Sequence, residues 1–109
     1  MSRLLLFIFP VFLLLNGCAT AQIGYSTKSK RAIKLYEEAR ETPRKNFDMK
    51  TGRPDYESGI ELLKKALVKD ENFLEAHQLI GEFYRLTGQS KKAVFHYKKS
   101  LEINPRANL

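Results

Sequence analysis

The chemistry open to this chain begins with one thiol and two imidazoles, because Cys18, His77 and His96 are its only cysteine and histidines in 109 residues. A single cysteine cannot form an internal disulfide, so its thiol is modified, paired with another chain, or of no special use. His77 and His96 fall in separate helical segments with no nucleophile placed beside either. No metal-ligand spacing and no glycine-rich phosphate loop occurs. These absences point away from an enzyme, with no catalytic residue, cofactor or metal expected. Both histidines read as packing or surface residues.

What precedes Cys18 gives the thiol its meaning. Residues 1–18 read MSRLLLFIFPVFLLLNGC, a short basic start with Arg3 and then an apolar run from Leu4 to Leu15. Twelve residues span only about 18 Å as a helix, short of the roughly 30 Å hydrocarbon core of a bilayer. The run is therefore the apolar region of a signal peptide rather than a stable span. Its end, Leu15-Asn16-Gly17-Cys18, resembles the lipobox of bacterial lipoproteins: an aliphatic residue, a small residue directly before the cysteine, then Cys18. Asn16 departs from the small or β-branched residue usual at its place.

The resemblance implies a signal peptide over 1–17, cleavage before Cys18, a thioether-linked diacylglycerol on Cys18 and an acylated new amino terminus. Each buried methylene contributes about 0.8 kcal/mol, so two or three chains make attachment effectively permanent. Ala19 is not the aspartate that holds such lipoproteins in the inner membrane, which implies the periplasmic face of the outer membrane in a two-membrane bacterium. The competing reading treats Cys18 as an ordinary residue near a secretory cleavage site ending at Ala21. Residues 18–28 are small and polar, with Gly24, Ser26 and Thr27, and read as a flexible tether.

Removing the leader leaves 92 residues and a net charge of +6, from +7 for the whole chain. So small a domain without disulfides has a thin core and needs a partner, a membrane or repetition to support it. The cations are scattered among twelve carboxylates, which permits nucleic-acid binding without arguing for it; none is expected. Near a membrane, cations favour anionic headgroups by roughly 1 kcal/mol each.

Four helical segments follow. Apolar spacing places one at Ser29 to Glu41 through Ala32, Leu35, Tyr36 and Ala39, and a second after Asp55 through Ile60, Leu63, Ala66 and Leu67. Asn72 and Glu75 stand in capping-box relation before a third carrying Phe73, Ala76, His77, Ile80, Gly81 and Tyr84. Gly88 ends that helix. Ser90 reads as the cap of a fourth, with Ala93, Val94, Tyr97, Leu101 and Ile103 on one stripe before Asn104-Pro105. Residues 42–54, with Arg44, Lys45, Lys50 and Arg53 against Asp48, form a basic loop of +3, longer than helix connections usually are and expected to be disordered.

From Leu74 the chain resembles a tetratricopeptide repeat, through Ile80, Gly81, Tyr84, Gly88, Ala93, Tyr97, Ser100, Leu101 and Pro105 at the repeat's offsets, with His77 at the place where tryptophan is usual. One period earlier, Gly59, Leu63, Ala66 and Leu67 correspond to Ala93, Tyr97, Ser100 and Leu101. The resemblance implies an all-α fold of antiparallel hairpins in a short α-solenoid: a degenerate first repeat at 29–71 interrupted by the 42–54 loop, and a second at 72–109. Gly81, Ala93 and Ser100 then mark close helix approach. Two repeats are fewer than the three expected for independent stability, and the chain stops where a capping helix would begin, so the apolar end beside Tyr97, Leu101 and Ile103 is expected to be closed by another polypeptide or a second copy.

The family presents a binding groove to proteins, which places Gln78, Glu82, Arg85, Phe95, Tyr97 and Leu101 on the surface a partner would meet. Glu82 stands where a carboxylate-binding clamp would carry Asn or Lys, so a free peptide terminus is not the expected ligand. The function implied is a lipid-anchored adaptor or assembly factor in an envelope complex, such as a pilus, secretion or outer-membrane assembly machine. The alternative is a non-enzymatic basic envelope protein binding anionic lipid or glycan through Arg44, Lys45, Lys50 and Arg53.

Overall fold

A computed structural model describes residues 24–106. The signal peptide at 1–17 and the lipidation expected at Cys18 lie outside the described residues. Four helices follow in order, α1 (Lys30–Lys45), α2 (Tyr56–Lys69), α3 (Leu74–Leu86) and α4 (Ser90–Ile103), with no strands among the described residues. α1 packs on α2, α2 on α3 and α3 on α4, giving two antiparallel hairpins stacked in sequence. Among the described residues no helix is long and apolar enough to cross a membrane.

Residues on one side of each helix supply the core: Ala32, Leu35 and Ala39 from α1, Ile60, Leu63 and Ala66 from α2, and Ala76, Ile80, Phe83 and Tyr84 from α3. Burying a side chain the size of Leu63 or Ile80 is worth roughly 1.5–3 kcal/mol. α4 contributes mainly Ala93 and the fully buried Ser100. Small residues set the helix separations. A Cβ at Gly81 would sit 2.7 Å from Cε1 of Tyr97, and one at Gly59 would sit 2.6 Å from Cε2 of Phe83 and 3.3 Å from the carbonyl oxygen of Ala39. Pro43, inside α1, has no N–H to offer Ala39 four residues back. The freed Ala39 carbonyl lies beside Gly59, where a side chain would crowd it as well as strike the Phe83 ring.

The helix ends differ from the sequence expectation in three places. α1 runs one turn beyond Glu41, through Pro43 to Lys45, and closes with the Asn46 N–H donating to Thr42 O at 3.0 Å. Gln89, not Ser90, precedes α4, and its side chain makes no capping bond. α3 is preceded by Phe73, and Asn72 does not cap it; the Asn72 backbone N–H instead donates to Asp70 Oδ1 at 2.9 Å. The cap of α3 comes from far upstream. Ser26 Oγ accepts the Leu74 N–H at 3.0 Å and donates to the Glu75 carboxylate, which also takes the Ser26 N–H at 3.0 Å.

That contact, with its neighbours, corrects the expected tether. Thr27 is buried, and the Tyr25 ring stands edge-on to Tyr36 at 5.4 Å and to Phe73 at 6.0 Å. Residues 25–27 are thus part of the folded body. The aromatic trio brings the incoming chain, α1 and the start of α3 together, and Phe73 is completely buried within it.

The basic loop is also ordered, and it is shorter than expected because α1 absorbs Thr42 to Lys45. Asp48 and Arg53 form an isolated antiparallel bridge, Gly52 takes the left-handed conformation (φ 70°), and Asp48 accepts from Lys50 N and Thr51 Oγ1, each at 2.9 Å. These bonds hold the Asp48 carboxyl below its usual pKa, Lys50 contributing most. Asp55 caps α2 by accepting Ser58 N–H at 3.1 Å and also takes the Asn46 side-chain amide at 3.2 Å, which ties the end of α1 to the start of α2. Between α3 and α4, Gly88 (φ 79°) closes a Schellman turn, with Gln89 N donating to Tyr84 O at 2.8 Å and Gly88 N to Arg85 O at 3.1 Å.

Candidate protein-interaction surface

α4 packs on α3 through buried Ala93 and Ser100, and one flank of it carries partly exposed apolar groups. Val94 is 49% exposed and Leu101 40% exposed on that helix, and Leu86, at the end of α3, is 45% exposed. Tyr97 sits between this side and the hairpin interior. Its ring covers Gly81, while its hydroxyl donates to Glu82 Oε2 at 3.1 Å.

The Glu82 carboxylate also pairs with Arg85, whose Nε donates to Oε2 at 3.1 Å. Arg85, and Tyr97 after it, hold the Glu82 carboxyl below its usual pKa, while burial comes first in raising the Tyr97 phenol above its own. Glu82 is therefore an anion at neutral pH with its acceptors in use. The cluster presents the Arg85 guanidinium, which is exposed, and the edge of Tyr97.

The six residues expected to share one groove occupy two surfaces. Glu82, Arg85 and Tyr97 are in direct contact. Gln78 lies half-buried one turn before Glu82, and Leu101 lies one turn beyond Tyr97. Phe95 is elsewhere, because two residues of helix turn a side chain by roughly 200°. It stands 56% exposed beside His96, with ring centroids 5.1 Å apart, over a cleft of about 400 Å³ bounded also by Leu67, His77, Lys99 and Ile103.

This cleft contains an arrangement that the sequence did not disclose. His77 and His96 meet with their Nδ1 atoms 3.1 Å apart, and His77 Nε2 lies 2.7 Å from Glu71 O. A carbonyl only accepts, so His77 Nε2–H is the donor there, and the Nδ1–Nδ1 contact holds one proton between the two rings. Burial, then the nearby His77 and Lys64, push the His96 pKa down to about 4. Among the described residues no group of three or more metal-ligating side chains is assembled. The only available sign in sequence was the replacement of the usual tryptophan by His77, which leaves room for a second imidazole.

The basic loop residues are spread apart. Arg44 and Lys45 fall in the last turn of α1, and Arg44 pairs with Glu41 at 2.6 Å. Arg53 lines a hollow with Asp48, Asp55 and Glu57. An anion entering it would meet three carboxylates beside one guanidinium.

Residues 74–106 match the family model of the tetratricopeptide repeat. No curated protein matches the chain significantly. The match covers α3, the Schellman turn and α4, so the second hairpin is a tetratricopeptide repeat, and the fold is all-α and tetratricopeptide-like. Such repeats are generally protein-interaction modules.

Proposed function

We propose that this chain is a lipid-anchored tetratricopeptide module that acts as an adaptor or assembly factor in a bacterial envelope complex, without catalytic activity. The observation that carries the reading is the outer side of α4, where Val94 and Leu101 are half-exposed beside Tyr97 and the Arg85–Glu82 pair. An apolar strip with a charged and hydroxylated margin suits a helix or extended segment of another polypeptide, whose side chains bury the strip while its polar groups meet Arg85. The anchor rests on the Leu15 to Cys18 pattern, and Ala19 favours the outer membrane. The mixed charge around Arg53 weakens the alternative of an anion-binding loop.

Two measurements test the reading. Mass spectrometry of the membrane fraction is expected to find a mature chain beginning at a lipid-modified Cys18; an unmodified amino terminus elsewhere removes the anchor. A photo-crosslinker at Leu101 is expected to recover a defined envelope protein, or a second copy, whose yield falls with V94E. Equal yield from V94E, or crosslinks to lipid only, refutes the interaction face.

A further inference from the structure

Charge is not spread evenly along the first hairpin. α1 begins with Lys30, Arg31 and Lys34 and has no acidic residue in its first turn. Its acids, Glu37, Glu38 and Glu41, come later. α2 runs the other way: Glu57 and Glu61 lie in its first half, and Lys64, Lys65 and Lys69 in its second. Antiparallel packing brings the two basic ends together. There Arg31, Lys65 and Lys69 surround a shallow recess completed by Leu35 and Val68, and no carboxylate lines it. Val68 is 80% exposed. None of the four ion pairs among the described residues involves Arg31, Lys65 or Lys69.

Helix stability does not explain this placement at α1, because cations in a first turn oppose the positive end of the helix dipole. Two acids near this end are already engaged, Glu75 by Ser26 and Glu37 by the Tyr25 hydroxyl at 3.1 Å. The position in the chain is equally informative. Because residues 25–27 are packed onto the body, the polypeptide enters the domain beside α1's first turn. Gly24 is nine residues from Leu15, the end of the apolar run, a reach of at most about 30 Å. The 46–54 loop lies at the other end of α1, about 24 Å away along the helix.

We propose that the face made by the start of α1 and the end of α2 lies against anionic lipid headgroups, with Arg31, Lys65 and Lys69 meeting phosphates and Val68 entering the headgroup layer. This rests on the membrane attachment in the preceding reading but not on its protein-binding side. The α4 side is thereby left free for a partner. Each cation near an anionic surface raises the docked fraction, and three together do so roughly a hundredfold.

The test uses the full-length chain with C18A, carrying one environment-sensitive dye at V68C or, separately, at M49C in the distal loop. The labelled proteins are floated with vesicles of phosphatidylcholine alone or of equimolar phosphatidylcholine and phosphatidylglycerol. The V68C dye is expected to shift to the blue only on the phosphatidylglycerol vesicles, to return in high salt, and to lose the shift in R31Q/K65Q/K69Q with unchanged helical circular dichroism. The M49C dye is expected not to respond. Co-flotation with an unresponsive V68C dye, a salt-insensitive shift, or a response at M49C instead overturns the proposed face and leaves attachment standing. Failure to float with the phosphatidylglycerol vesicles also overturns the proposed face, while the attachment at Cys18, which C18A removes, stands or falls separately on mass spectrometry of the membrane fraction.

Discussion

The serine that caps α3 lies 48 residues before the helix it caps, which allows a sharp test. S26A removes the oxygen that accepts Leu74 N–H and the hydroxyl that donates to Glu75. Loss of an N-cap costs about 1 kcal/mol. A hydrogen bond to a carboxylate contributes roughly 1.5–3 kcal/mol where water is excluded, but Ser26 is exposed, so its share is nearer the lower end. The sum is about 2.5 kcal/mol, a fall in Tm of roughly 10–20 °C for a domain of this size. Asn72, adjacent in sequence to the helix start, makes no capping bond, so N72A is expected to stay within about 0.5 kcal/mol of the parent. Urea and thermal unfolding followed by helical circular dichroism measure both. S26A/E75A is expected to cost less than the sum of S26A and E75A, because both single changes remove the hydroxyl–carboxylate bond, while the residue-26 N–H bond to Glu75 is lost only with E75A. If N72A destabilises as much as S26A, or the double mutant is additive, the long-range cap is not what holds the start of α3.

Other outcomes follow from the helix contacts and the histidine pair. G59A is expected to destabilise by about 1–3 kcal/mol despite better helix propensity, because the new methyl meets the buried Phe83 ring and the Ala39 carbonyl. G81A is expected to cost less, since the partly exposed Tyr97 ring can swing away at the loss of its bond to Glu82; comparing their unfolding midpoints decides the order. For His96, the folded pKa of about 4 lies below the ordinary 6.5, so between these values the unfolded chain binds the extra proton. This contribution is full above about pH 6.5 and is lost as pH falls toward about 4. Solvent screening of a half-exposed ring reduces it to the order of 1 kcal/mol. Urea midpoints from neutral to about pH 5 are expected to fall for the parent and to be flatter for H96Q; parallel curves refute the lowered His96 pKa.

Much of the architecture was legible because helix periodicity and turn chemistry are local. The stripe Ile80, Gly81, Tyr84, the left-handed turn at Gly88 and the small residues Ala93 and Ser100 each report a constraint within a few residues, and the second hairpin follows from them. Gly59 was found by period alone. Its reason, the Phe83 ring from α3 and the Ala39 carbonyl from α1 closing on it, became visible only with the packing. Composition misread the 42–54 loop, since proline and glycine there suit both disorder and a tight turn, and the Asn46–Asp55 bond selects the turn. The expected groove split because Tyr97 and Phe95, two residues apart, point to different sides of one helix.

The helices, the hairpin turn and the lipobox-like cysteine pattern can be read from the amino-acid order alone, since each depends on neighbours along the chain. Tertiary structure decided what required distant groups to meet: Ser26 on the start of α3, His77 against His96, and the basic ends of α1 and α2 on one face. Hydrogen bonding and charge act over a few ångströms of space whatever the separation in sequence, so no reading of spacing could supply those contacts.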